Sequence, residues 1–203
     1  AGFNIVHMYN AARVRPGRRP DDQRLKDVLD RAERNGMRCL LLVPMEFAFA
    51  GEWEAFTRRI RMFRNHPALL AWDEEEGIAR GDMKPKALEK MRRILQKEDP
   101  HHPLMVGDSR DVIGRVTDRS RFFPVDQMDL GMWWWYPLPL KPGPAKDLEG
   151  EQASQTLELT PPTFLTLRTT DKPIWVGVQS YKKPAKDARY PTPAEYRAQA
   201  YLS

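Results

Sequence analysis

Residues 68–77 read Ala68-Leu69-Leu70-Ala71-Trp72-Asp73-Glu74-Glu75-Glu76-Gly77, an apolar run that turns abruptly into four acids and stops at a glycine. Five apolar residues are too short for a core helix and fit a strand buried on both faces. Carboxylates can follow such a strand without a large desolvation cost only at its exposed end. The bland reading is a charged loop after a core strand. Clustering of the acids, with Trp72 beside them, favours a site over a loop.

Working outward, the same alternation repeats along the chain. Gly2 to Tyr9 is apolar and β-branched, hence strand. Asp21 or Asp22 can cap a helix running to about Asn35, with Leu25, Val28, Leu29 and Ala32 as its inner stripe and Gly36 as its stop. Arg38 to Pro44 is a second buried strand, followed by a loop carrying Glu46, Phe47 and Phe49 and a helix over about Glu52 to Asn65. After the acids, Lys84 to Glu98 has a helical stripe of Leu88, Met91, Ile94 and Leu95, and Asp99-Pro100 ends it. Pro103 to Val106 is a short strand running into Gly107-Asp108-Ser109. A helical segment spans roughly Asp111 to Arg119, and Met128 to Tyr136 is a strand ending in aromatics. Lys141 to about Thr160 has no clear period and reads as an irregular excursion. Pro161 opens another helix, Pro173 to Tyr181 is the last strand, and Pro193 starts the last helix.

Strands alternating with amphipathic helices mean an α/β fold with a parallel sheet. No strand leads into a glycine-rich phosphate loop, which argues against a nucleotide-binding open sheet. A (β/α)8 TIM barrel lacking its first and last strands accounts for six strand–helix units and for ends that read as cuts, so residues 1–203 are expected to be one partial barrel domain. The remainder of the barrel would come from the same polypeptide.

Composition bounds the function. The 203 residues are 41% hydrophobic and 30% charged, a globular balance, and no apolar run approaches the ~18 residues of a membrane span. The net charge of +5 and pI of about 9.4 invite a nucleic-acid reading. Against it, Arg58, Arg59, Arg61 and Arg64 share a helix with Phe56, Ile60 and Phe63, the pattern of a solvated outer face. Neither nucleic acid nor membrane is expected as a partner. The one cysteine, Cys39, lies mid-strand, so no internal disulfide forms. His101-His102 sits in a proline-bracketed loop without paired ligands at tight spacing, so no metal or other cofactor is expected.

The phrase His66-Pro67-Ala68-Leu69-Leu70-Ala71-Trp72 followed by acids resembles the fourth strand of clan A glycoside hydrolases, where H-P-A-L-L-G-W-x-x-x-[N/D]-E-P ends in the acid/base glutamate. Asp99-Pro100 to Pro103 is similar to the turn into their fifth strand. Asp126 to Pro137 is similar to the sixth-strand region of uncharacterised glycosidase-like barrels, and Lys172 to Gln179 to the seventh strand. The resemblance covers essentially the whole chain, as strands two to seven, and implies a glycosidase acting on an oligo- or polysaccharide substrate. A secreted or periplasmic location would fit it.

Counted from Trp72, the family's acid/base falls on Gly77. One deletion moves it to Glu76, with Glu75 at the usual Asn or Asp. On the seventh strand the resemblance implies a glutamate nucleophile, and Gln179 stands in that neighbourhood. An amide cannot take that role, which keeps open a carbohydrate-binding barrel without catalysis.

Glycoside cleavage needs one protonated carboxyl and a second carboxylate opposite it, and crowding of acids helps the first stay protonated. Glu76 is the expected acid, with Glu75 in reserve. The second carboxylate could be Asp108, Asp129 or Glu46, or could lie on another strand. Each has a bland alternative: Asp108 a cap, Asp129 a structural acid, Glu46 a partner for an arginine. Sugars stack on aromatics, so Trp133, Trp135 and Tyr136 are candidate platforms, with Trp135 favoured by alternation. Gln179, Tyr181, His7, Asn10 and Glu46 are candidate hydroxyl-binding groups.

Overall fold

Helix α1, Asp22–Arg34, starts where Asp21 accepts a hydrogen bond from Gln23 N at 2.9 Å and ends where Gly36 takes a left-handed φ of 65°. Between those signals Leu25, Leu29 and Ala32 face the core. The computed structural model describes residues 4–8, 21–74, 84–109, 125–135 and 171–178. The helices expected near 111–119, from 161 and from 193, and the excursion at 141–160, lie outside them. Ala1–Gly107 with Pro124–Gly131 forms one compact unit, and Asp108–Phe123 with Met132–Ser203 forms another.

In the first unit, β1 (Ile5–His7), β2 (Arg38–Leu42), β3 (Leu69–Asp73) and β4 (Leu104–Ser109, to Gly107 in this unit) pair in that order, each parallel to the next. Strand β5 (Leu130–Trp135) comes next in the sheet. In the second unit β6 (Ile174–Val178) follows β5. The fold is α/β with a parallel sheet, as the alternation of strands and helices predicts.

Helices α3 (Trp53–Phe63) and α4 (Pro85–Glu98) supply the outer layer of the first unit. Phe56, Ile60 and Phe63 of α3 and Leu88, Met91 and Leu95 of α4 are buried at helical spacing. Cys39 is buried in β2, and that burial pushes its thiol up to about 11, so it is no nucleophile near neutral pH. Among the described residues no helix is long and apolar enough to cross a membrane.

Two features differ from the sequence reading. The stretch after β2 is not a loop but a short helix, α2 (Met45–Ala50), closed by Gly51 at φ 74°. Its six residues are too few to show a period. The arginines of α3 are also not one solvated face. Arg59 is buried, ion-paired to Glu46 and to Asp22, and its guanidinium stacks over Phe47 at 4.6 Å. Burial of that charge is offset by two carboxylates and a ring, so Arg59 fastens α2 and the start of α1 to α3.

Arg61, on the exposed side of α3, makes a two-pronged pair with Glu98 at 2.7 Å on each arm. The Arg61 guanidinium, ahead of Lys97 and Arg64, holds the Glu98 carboxyl below its usual range. A depressed folded-state pKa contributes stability above the unfolded pKa of about 4.3, and that contribution is lost as pH falls through the folded value. Urea melts of Arg61→Gln should therefore show a deficit against the parent at neutral pH that closes on acidification. A deficit constant with pH would mean that Arg61 acts through packing instead.

Candidate functional site

Register carries the site. His7 pairs with Leu40, Leu40 with Ala71, Leu42 with Asp73, and Asp73 with Met105. In a parallel sheet paired residues share a face, so His7, Leu40, Leu42, Ala71, Asp73 and Met105 lie on one side and Leu41, Trp72 and Leu104 on the other. That places His7 of β1 and Asp73 of β3 over the strand between them, and His7 Nε2 meets Asp73 Oδ2 at 2.5 Å. The residues contacting across β2 come from alternate strands, the arrangement by which barrel interiors are layered.

Asp73 and Glu74 are both 0% exposed. The backbone fixes them: Val43 N donates to Asp73 O at 2.9 Å and Glu74 N donates to Met105 O at 2.8 Å. A buried carboxylate is costly unless paired, and His7 supplies the pairing for Asp73. The carboxyl end of β3 therefore carries two enclosed acids, the first of them paired to an imidazole, and these are residue types that acid/base chemistry uses. Asp73 is the site residue that sequence reasoning passed over in favour of later acids. Its signal was alternation, which puts it on the face of Ala71, opposite Trp72.

The other sequence candidates fall in different places. Glu46 lies on α2, beyond the carboxyl end of β2, and is engaged by Arg59. Asp129 stands just before β5, at its amino end, where it accepts from Leu104 N at 3.0 Å and forms a two-pronged pair with Arg92. Asp73 and Glu74 leave the carboxyl end of β3, so the structure does not bring Asp129 to them. Asp108 is at the carboxyl end of β4, and Trp133 and Trp135 are in the carboxyl half of β5, all in the second unit. Glu75, Glu76, Asn10, Tyr136, Gln179 and Tyr181 lie outside the described residues. Trp72 is not a site surface: it is fully buried, and its Nε1 donates to Asp99 Oδ2 at 2.7 Å.

Solved structures with the same chain path include an exo-β-1,4-mannosidase from Opitutaceae bacterium strain TAV5, with a TM-score of 0.62 and 16% identity over 99% of this chain and 43% of that one. A β-galactosidase from the psychrophilic Marinomonas ef1 aligns with a TM-score of 0.60 and 12% identity over 98% and 48%. A putative α-L-fucosidase from Bacteroides thetaiotaomicron aligns at 0.56 and 9% over 88% and 60%. The fold is glycosidase-like. At these identities the likeness speaks for fold alone, and the chain spans about half the length of the proteins it matches. No protein-family model and no curated protein matches the sequence.

Within this glycosidase-like fold, one group among the described residues gathers metal-ligand atoms within 4.8 Å: Asp30, Glu33 and His66. Hydrogen bonding there favours a proton. Ala68 N donates to His66 Nδ1 at 3.2 Å, so the ring proton sits on Nε2 and points at Asp30 Oδ1, 3.0 Å away. Lys26 Nζ is 2.8 Å from Asp30 Oδ2 and, with His66, holds that carboxyl below its usual range. The lone pair a metal would need is occupied, and an ammonium already balances the acid.

Proposed function

We propose that this chain is part of a (β/α)8 glycoside hydrolase barrel that cleaves glycosidic bonds in an oligo- or polysaccharide by carboxylate general acid/base catalysis. The observation that carries the reading is the carboxyl end of β3, where buried Asp73, paired to His7, and buried Glu74 lead directly into Glu75 and Glu76. In parallel barrels that end of the strands is where catalytic groups reside. The glycosidase-like fold supports it independently.

Glu76 is assigned as the proton donor, with Glu75 in reserve. Asp108 is the favoured second carboxylate within the chain, because Glu46 is held by Arg59 and Asp129 stands at the amino end of β5. Trp135 is assigned as the sugar-stacking surface, with Trp133 and Tyr136 beside it in sequence. His7, Asn10, Gln179 and Tyr181 would meet hydroxyls. The distance between the two carboxyls separates outcomes, ~5–5.5 Å for retention and ~6.5–9.5 Å for inversion.

Gln179 favours a second reading, a barrel that binds carbohydrate without cleaving it. A panel of aryl glycosides and oligosaccharides, assayed for release and for binding in parallel, decides between the two. Turnover of any member supports the hydrolase. Saturable binding without turnover supports the binding barrel, and the absence of both refutes each.

A further inference from the structure

We propose that Asp73 is a positioning residue. Its contact with Nε2 sets the imidazole of His7 so that the ring's other nitrogen, Nδ1, meets one hydroxyl of a bound sugar. The proposal rests on the carbohydrate reading of this barrel and holds whether the glycan is cleaved or only bound.

Both side chains stand at the same end of the sheet, since β1 ends at His7 and β3 at Asp73. In parallel α/β sheets ligands bind outside that end of the strands. Exposure separates the two roles. The Asp73 side chain is wholly enclosed, whereas 17% of the His7 side chain stays exposed, so a ligand reaches the ring and not the carboxylate.

The strands do not need this pair to stay together. Backbone bonds flank His7 on both sides, from Arg38 N to Asn4 O at 2.8 Å and from Met8 N to Leu40 O at 3.1 Å. Val43 N likewise holds Asp73 O at 2.9 Å. For stability alone, well-packed apolar side chains often serve as well as a buried polar pair or better. What the carboxylate adds is orientation. An imidazole turns about χ2 in a broad, roughly two-fold well, so a histidine without an anchor presents either nitrogen. Nε2 against Asp73 removes that choice and leaves Nδ1 as the ring's other polar atom. A hydroxyl both donates and accepts, so it fits Nδ1 whether or not that nitrogen carries a proton.

The test uses the nitrophenyl β-glycosides of glucose, galactose and mannose with their monodeoxy analogues, followed by kcat and KM where they are cleaved and by Kd where they are only bound. The parent should discriminate about fivefold against one monodeoxy analogue, one net hydrogen bond's worth. Asp73→Ala and His7→Gln should abolish that discrimination through KM or Kd, with kcat unchanged. Asp73→Asn keeps an acceptor for the ring and should retain most of it. His7→Gln keeps an amide donor facing Asp73, so it carries the test even where Asp73→Ala does not fold. In labelled protein without sugar, Asp73→Ala should also shift the His7 ring nitrogen signals. A purely structural role would lower the melting temperature and leave the preference for the hydroxyl intact, which would overturn the proposal, as would a loss confined to kcat or unmoved ring signals. These outcomes require a parent that acts on glycosides. A parent that neither cleaves nor binds any of the three overturns the carbohydrate reading itself and the proposal with it.

Discussion

Glu76→Gln should lower glycoside turnover by about 10²–10⁴-fold, the usual worth of a general acid, while leaving glycan affinity within a few-fold. The amide keeps the shape and hydrogen-bonding reach of the side chain and removes only the proton. Glu75→Gln belongs in the same experiment because two ways of counting give different answers. Strict alternation from Asp73 gives the face of His7 to Glu75, whereas resemblance to the fourth strand of clan A enzymes, with one deletion, gives the acid to Glu76. Loss in Glu75→Gln with Glu76→Gln near parental would move the proton donor by one residue. Undiminished turnover in both would remove the β3 acids from catalysis and with them the hydrolase mechanism.

Why the sequence reached the strand but not the pairing is visible in these same residues. Periodicity is local, and it reports strands such as 68–72 and stripes such as Leu88, Met91 and Leu95 because burial acts on neighbours along the chain. Caps are local too, and Asp21 and Gly36 stand where the structure begins and closes α1. His7 and Asp73 are 66 residues apart, and their contact depends on the register of β1, β2 and β3 together. Arg59 looks like any helix-surface arginine until α2 and the start of α1 bring Glu46 and Asp22 to it. Asp129 reads as part of a strand in Met-Asp-Leu-Gly-Met, and only Arg92, on a helix 37 residues earlier, shows that it is an anchor ahead of that strand. Charged residues in particular are misread from sequence, because their partners are chosen by tertiary structure.

Trp72→Ala should cost ~3–5 kcal/mol of folding stability, the range for truncating a fully buried aromatic. Native domains have only ~5–15 kcal/mol in total, so such a loss would move a urea midpoint far down or leave the protein unfolded at 37 °C. Two effects combine in that figure, and Trp72→Phe separates them. Phe fills most of the cavity but withdraws the indole N–H, leaving Asp99, which is almost wholly buried, with His102 as its remaining side-chain partner among the described residues. An under-satisfied buried carboxylate costs ~1–3 kcal/mol, so Trp72→Phe should fall well short of Trp72→Ala yet remain measurable. The Phe deficit should shrink when Asp99→Asn is added, since a neutral amide tolerates burial with fewer donors better than a charge does. Non-additivity between the two variants is the signature of a shared network. A Trp72→Ala cost below ~1 kcal/mol would mean that Trp72 is not packed in the core, because burial of this side chain alone accounts for more than that. The face opposite Trp72 would then lose its assignment as well, since the placement of Asp73 beside His7 follows from the same alternation that turns Trp72 toward Asp99.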